Sequence, residues 1–278
     1  MVVEESPSEA LDDAALIRRN RRRGRVVAAA PAVVVGTIAA ALGAVLAGPV
    51  VAVGAGVAVV AVLWAAVWWG ATPLLLRSLG VTEVDEDDQA RVFNQVEGLC
   101  ATLGLVVPRV CVVDDAALGA LVLGRRRRLA VMVVTTGLAQ SLDPVQLEAV
   151  LAHELVHVRR GEVVPATMAA AVALPFTAVL PGAPELVHRL SGRGREFLAD
   201  QQAVRVTRYP PGLRQALALM VDGPVPAPAS PLAGRGSSSV MRWLWTVRST
   251  APGSPDGARG EPGELDEPVV RIAALDEW

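Results

Sequence analysis

Lysine is absent from this 278-residue chain: all 26 basic residues are arginine, set against 28 acidic ones for a formal charge of −2. A near-neutral total excludes the broad basic footprint of a nucleic-acid binder, so charge can matter only where it clusters. Cysteine is almost absent as well. Cys100 and Cys111 cannot build a disulfide framework, and neither has a second Cys or a His at ligand spacing. That excludes a cysteine-based zinc knuckle and fits a reducing compartment. Aromatic residues make up only 4% of the chain, and none is interleaved with the arginine clusters, so no nucleic-acid partner is expected. Histidine occurs three times. The longest deficit is of charge itself, because residues 26–76 form 51 consecutive positions without any.

What the chain has in excess is apolar surface, 52% of residues with a mean hydropathy of +0.42, too high for an ordinary soluble enzyme. One bilayer crossing takes roughly 20 residues. The uncharged run therefore predicts two, 26–47 and 50–70, broken at Gly48-Pro49 where a helix cannot continue through the proline. Gly36 with Ala40, Gly43 with Ala47, and Gly54 with Ala58 would let the two backbones approach closely. Trp64, Trp68 and Trp69 suit the exit interface. A cleaved signal peptide would have an apolar region of only about 7–15 residues.

Arg18, Arg19, Arg21, Arg22, Arg23 and Arg25 directly precede the first span, and the positive-inside rule assigns them to the cytoplasm. Two crossings bring the chain back to that side. The sequence thus divides into an Arg-rich cytoplasmic tail (1–25), a transmembrane helical hairpin (26–76) and a cytoplasm-facing domain (77–278) of a multi-pass cell-membrane protein whose first partner is the bilayer.

The domain after the hairpin mixes helix and strand patterns. Val92, Val96, Leu99 and Leu103 form an amphipathic helical face, and β-branched runs at 109–113, 120–123 and 129–135 read as strands of a small sheet. Asp143, Pro144 and Gln146 combine an N-cap, a first-turn proline and a capping-box partner, so a helix starts there and ends near Gly161. Pro/Gly-rich stretches at about 222–239 and 249–264 read as mobile loops around a docked island, Met241-Arg242-Trp243-Leu244-Trp245.

On the helix opened by Asp143 lies His153-Glu154-Leu155-Val156-His157, which puts two imidazoles four residues apart on one face. Such a pair can grip one zinc ion, and a carboxylate beside the first ligand can take the proton of a water polarised by that ion. Two of only three histidines form the motif, so chance accounts poorly for it. A catalytic zinc needs a third protein ligand. Glu196 and Asp200 sit four apart on a later helix, so Glu196 can bind the metal while Asp200 accepts a hydrogen bond from a ligating imidazole. Glu162 is a poor alternative beyond the helix end, and His188 reads as a surface or supporting residue. The apolar run 163–181 approaches the length of a third span, yet it lies between ligands that must meet on one side of the membrane. It therefore reads as a buried or membrane-apposed helix broken near Pro175.

Leu151-Ala152-His153-Glu154-Leu155-Val156-His157-Val158, preceded by Val134-Thr135-Thr136-Gly137-Leu138 and Leu142, resembles the HtpX and CAAX-prenyl-protease family of membrane-bound gluzincin metallopeptidases. The likeness extends to Leu105–Val110, Arg195–Asp200, Arg208–Leu213 and Arg271–Leu275, most of residues 90–278. It implies an α+β architecture: a transmembrane hairpin, then a mostly helical zincin-type domain with a small β-sheet. It also implies endopeptidase activity on protein or peptide substrates, in the handling of membrane or misfolded proteins. One Zn2+ per chain would be held by His153, His157 and Glu196, with Glu154 as base.

Three features depart from the family pattern. Leu118-Gly119-Ala120-Leu121 stands where Asn-Ala-Phe is usual, no His-Pro pair precedes Arg271, and the segment between His157 and Glu196 is too short for two transmembrane helices. Oxyanion stabilisation is left unassigned, with Arg271 as a candidate whose competing role is a structural salt bridge and Tyr209 as a weaker one. Two readings therefore stand beside the peptidase: a catalytically weak zinc-fold sensor or scaffold, and a BlaR/MecR-like signalling peptidase. Oligomeric state is not legible.

Overall fold

The protein is described from a computed structural model that covers residues 7–83, 89–177, 183–191, 194–224, 241, 244–247 and 266–278. Both Pro/Gly-rich stretches expected to be mobile fall almost wholly outside these residues, as does the end of the apolar run 163–181.

Two long helices open the chain, α1 (Pro7–Ala47) and α2 (Pro49–Leu79), and both are long and apolar enough to cross a membrane. They turn at the expected place, where Gly48 takes φ +84° and Pro49 begins α2. Close packing uses glycines, with one difference from expectation. A Cβ on Gly36 would meet the Gly56 carbonyl at 2.9 Å and one on Gly56 would meet Ala40 at 2.8 Å, whereas Gly54 has open space beside it. The crossing turns Gly56 rather than Gly54 toward the partner helix. α1 also runs unbroken through Arg25, so the arginine cluster lies on the same rod as the apolar segment.

The remaining described elements are β1 (Thr82–Glu83), α3 (Ala90–Leu103), β2 (Arg109–Val113), β3 (Ala120–Leu123), β4 (Val131–Thr135), α4 (Thr136–Ser141), α5 (Pro144–Arg160), α6 (Val163–Ala173), α7 (Ala183–Ser191), α8 (Arg195–Thr207), α9 (Pro210–Asp222) and α10 (Pro268–Asp276). The mixed sheet has the order β1-β2-β4-β3. β2 and β4 run parallel with Cys111 opposite Val133, and β3 pairs antiparallel to β4 with Leu121 opposite Val133.

Both faces of this sheet are apolar, since alternate residues enter two separate cores. Val110, Val112, Ala120, Val122, Met132 and Val134 pack with α3, α5 and α9. Cys111, Val113, Leu121, Leu123, Val131 and Val133 pack with α6 and with Trp68, Ala71, Leu75, Leu76 and Leu79 of α2. The foot of the hairpin is therefore one wall of the second core. Trp69 remains 54% exposed while Trp68 is buried, so the expected interfacial tryptophans divide between an outer and an inner role.

α6, the ambiguous apolar run, is buried along almost its whole length and ends in a 3₁₀ turn at Leu174–Phe176 that contains Pro175. It packs against α1, α2 and α7. The N-terminal part of α1 docks on the same region: Asn20 Nδ2 donates to the Arg160 carbonyl at 3.0 Å, Arg159 meets Asp13 at 3.3 Å, and a Cβ on Gly24 would meet Val164 at 2.6 Å. The arginine-bearing end of the hairpin thus sits directly against the end of α5.

Candidate metal centre

α5 begins and ends where its sequence signals it should. The Asp143 carboxylate accepts from the amides of Val145 and Gln146, the Gln146 side chain accepts from the Asp143 amide, and Gly161 closes the helix at φ +70°. Leu147, Val150, Leu151, Leu155 and Val158 anchor it in the first core. The rotation fixed by those anchors buries His153, Glu154 and His157.

Against them lies α8. Its first turn has no local side-chain cap, and Asp266, from far along the chain, accepts from the amides of Gly194 (2.7 Å) and Glu196 (3.0 Å) instead. An anion at a helix N-terminus satisfies otherwise orphaned donors and complements the helix dipole. Glu196 is thereby held facing the two imidazoles.

Three atoms converge. His153 Nε2 is 3.0 Å from Glu196 Oε2, His157 Nε2 is 3.5 Å from the same oxygen, and the two Nε2 atoms are 3.3 Å apart. A tetrahedral zinc with bonds of about 2.0–2.2 Å to N and O ligands has ligand–ligand edges of about 3.3–3.6 Å. Two sides of the triangle, 3.3 and 3.5 Å, match edges of such a tetrahedron, and the third, at 3.0 Å, is slightly shorter. His153, His157 and Glu196 are also the one group of its kind able to hold a metal ion among the described residues.

The far sides of the imidazoles face carboxylates, the arrangement that orients metal-binding histidines. His157 Nδ1 is 2.7 Å from Glu162 Oε2. His153 Nδ1 is 2.7 Å from Asp200 Oδ1, inside ion-pair range, although its ring N–H is not aligned for a hydrogen bond. Burial by itself would lower both imidazole pKa values. For His157, Glu196 and Glu162 outweigh burial and push the value up to about 10; for His153, Asp200 and Glu196 raise it. Burial would raise the Glu196 carboxyl, but Arg195 at 2.8 Å and the imidazoles hold it well below the usual carboxylate range. Two imidazole nitrogens and a carboxylate oxygen facing one another are a donor set that fits a divalent cation.

Glu154 is held on one side. Its Oε1 lies 2.6 Å from the Thr246 hydroxyl, while Oε2 is buried with no hydrogen-bond partner among the described residues. Arg271, 1% exposed, grips Asp200 through Nε (2.6 Å) and Nη2 (2.8 Å) and donates through Nη1 to the Thr246 carbonyl at 2.6 Å. All three of its nitrogens are thus on protein oxygens, the geometry of a structural ion pair. His188 is buried, not at the surface, and lines a small cavity with Arg195, Glu196, Trp245, Thr246, Asp266 and Arg271. Tyr209 is half exposed at the start of α9 and does not line that cavity.

Sequence reasoning passed over four supporting residues. Glu162 lies past the helix end, but the turn at Gly161 folds its carboxylate back onto His157. Arg195 opens a stretch that resembles the family and Thr246 directly follows the Met241–Trp245 island, but no local pattern marks either of them or Asp266 as a supporting residue.

Comparison with known proteins points to one family. Residues 86–256 match the model of peptidase family M48. The chain is 31% identical over 197 residues to a protease HtpX homolog of Tropheryma whipplei, covering 59% of this chain and 66% of that one. It is 30% identical over 176 residues to the homolog of Dictyoglomus thermophilum, with 52% and 58% covered, and 27% identical over 176 residues to that of Salinibacter ruber, with 55% and 64% covered. The chain therefore spans less than two thirds of the length of these curated relatives. No solved structure matches it.

Proposed function

Because the chain belongs to peptidase family M48, we propose that it is a membrane-anchored, zinc-dependent endopeptidase that cleaves protein substrates, with a role in membrane-protein quality control. The observation that carries this reading is the ligand triangle of His153, His157 and Glu196 beside a buried Glu154 oxygen with no partner among the described residues. One zinc per chain, held by those three residues, would supply the Lewis acidity that activates water and polarises a scissile carbonyl.

The other roles belong to the chain. Glu154 takes a proton at Oε2 and hands it to the leaving amine, the paired task of a general base and acid. Glu162 and Asp200 hold the two imidazoles in orientation, and Arg271 neutralises Asp200. β3 is the edge strand next to α5 on which an extended substrate would pair, a mode tolerant of sequence, and there its Ala120 carbonyl already accepts from the Thr246 amide, so substrate pairing would use the rest of that edge or displace this contact.

The arginine-bearing end of α1 docks on α5 and α6, so the metal centre and those arginines share one side of the bilayer, the cytoplasmic side by the positive-inside rule. The protein is then multi-pass, with lipid and peptide substrates as its partners.

Metal content and casein cleavage of the full chain purified in detergent, with and without chelator, test this reading. One zinc per chain, cleavage abolished by chelation and restored by zinc, is the expected result. Cleavage that survives complete metal removal would overturn the mechanism, and a zinc-loaded chain that never cleaves would establish a sensor or scaffold instead.

A further inference from the structure

A glutamate carboxylate does not by itself determine which oxygen faces which way, because its terminal torsion is broad and roughly twofold. At Glu154 the two oxygens are nevertheless distinct. Oε1 is 2.6 Å from Thr246 Oγ, and Oε2 is buried with no partner among the described residues. A buried polar atom without a hydrogen bond is costly and calls for an explanation.

Thr246 is itself immobilised. It is 1% exposed, its amide donates to the Ala120 carbonyl at 3.0 Å, and its own carbonyl accepts from Arg271 at 2.6 Å. Its hydroxyl also lies 3.0 Å from the Ala120 carbonyl, but one proton cannot serve two acceptors at full strength. Hydrogen bonds to an ionised carboxylate are shorter and roughly twice as strong as neutral ones, so the proton goes to Glu154.

We infer that Thr246 is the positioning residue of the general base: its hydroxyl occupies Oε1 and so leaves Oε2 as the atom that receives the proton during peptide hydrolysis. No proton leaves Thr246. Its hydroxyl donates to Oε1 both before and after Oε2 is protonated, so the carboxylate need not turn between the two steps. Arg271 then supports both halves of the site, Asp200 behind His153 and Thr246 behind Glu154. This inference rests on Glu154 being the base.

The test uses the full chain in detergent carrying T246V, which removes the hydroxyl, or T246S, which keeps it. T246V should bind zinc as the wild type does and leave KM for casein unchanged, while kcat falls about 10–100-fold, as for other supporting contacts of metal sites. T246S should restore kcat. A merely structural role would lower zinc content and would not separate kcat from KM. Wild-type kcat in T246V would overturn the inference. A raised kcat would overturn it too, by showing that the 244–247 segment stands in the substrate's path. Loss of kcat in T246S would do the same, and that result is readable even if T246V does not fold.

If wild-type protein does not cleave casein, the reading of Glu154 fails on its own, and the contact is read from unfolding instead. T246V should lower the thermal midpoint by roughly 3–10 °C in the wild type and by much less in an E154A background. Equal shifts in the two backgrounds would overturn the contact.

Discussion

At the turn of the hairpin, Val45, Leu46 and Val50 expose 84–85% of their surface, whereas in α5 His153 and Glu154 expose 0% and 1%. Apolar groups face outward in one region and ionisable groups face inward in the other. Each arrangement would be unfavourable in plain water, the first because contiguous apolar patches beyond a few hundred Å² drive association, the second because a buried charge costs several kcal/mol unless paired. Each therefore points to a second medium, a bilayer for the hairpin and a cation with its facing carboxylates for the site. α6 lies between the two and follows neither pattern: it is apolar and buried as in an ordinary core. Hydropathy alone does not separate α6 from the hairpin; what is packed around it does.

The sharpest way to break this contrast is at Glu154, the buried ionisable group to which the proposed function assigns the role of base. Glu154→Gln should keep zinc and the unfolding midpoint while casein turnover falls by about 10²–10⁴, the usual worth of a general base. Turnover at the wild-type rate would place the base elsewhere.

Burial by pairing is tested next, at Arg271. Arg271→Met leaves Asp200 charged, buried and without its guanidinium, and should cost about 3–5 kcal/mol in chemical denaturation. A loss below about 1 kcal/mol would show that Asp200 is already satisfied by His153.

The raised pKa values of the buried imidazoles supply a third test. With His157 pushed up to about 10, its charged form stabilises the metal-free fold fully below its unfolded value of 6.5, and that stabilisation is lost as pH rises through about 10. Zinc must displace that proton, so affinity should fall by at least about tenfold per unit as pH drops from 8 to 6, measured by competition with a chelator of known affinity. An affinity flat over that range would mean that the imidazoles are already neutral.

The smallest effects are expected in the hairpin. Gly56→Val must displace Ala40, whose Cβ would lie 2.8 Å from the new Cβ, and should destabilise by about 1–3 kcal/mol in detergent without changing zinc content. Gly54→Val has open space and should be silent. If Gly56→Val instead reduced zinc binding, the two regions would be coupled through the shared core at the foot of α2.

The hairpin, its turn at Gly48-Pro49, the limits of α5 and the facing pair of histidines were legible because each depends on neighbours within about a turn or a span. Strand β3 was placed correctly, and β4 begins at Val131 rather than 129 because Arg127–Leu129 forms a 3₁₀ turn. The two-residue β1 escaped notice because it carries no pattern, only a pairing with β2.

By itself the sequence determined which side chains could meet on one helix, since helical spacing is a property of the local backbone. Only the tertiary structure decided what stands behind them. Glu162 reaches His157 through a left-handed glycine turn, Asp266 caps α8 across 70 positions, and Thr246 meets Glu154 across 92. Such contacts bring together elements remote in the chain, and a charged or polar group commits to a distant partner only once packing has removed the water that would otherwise solvate it.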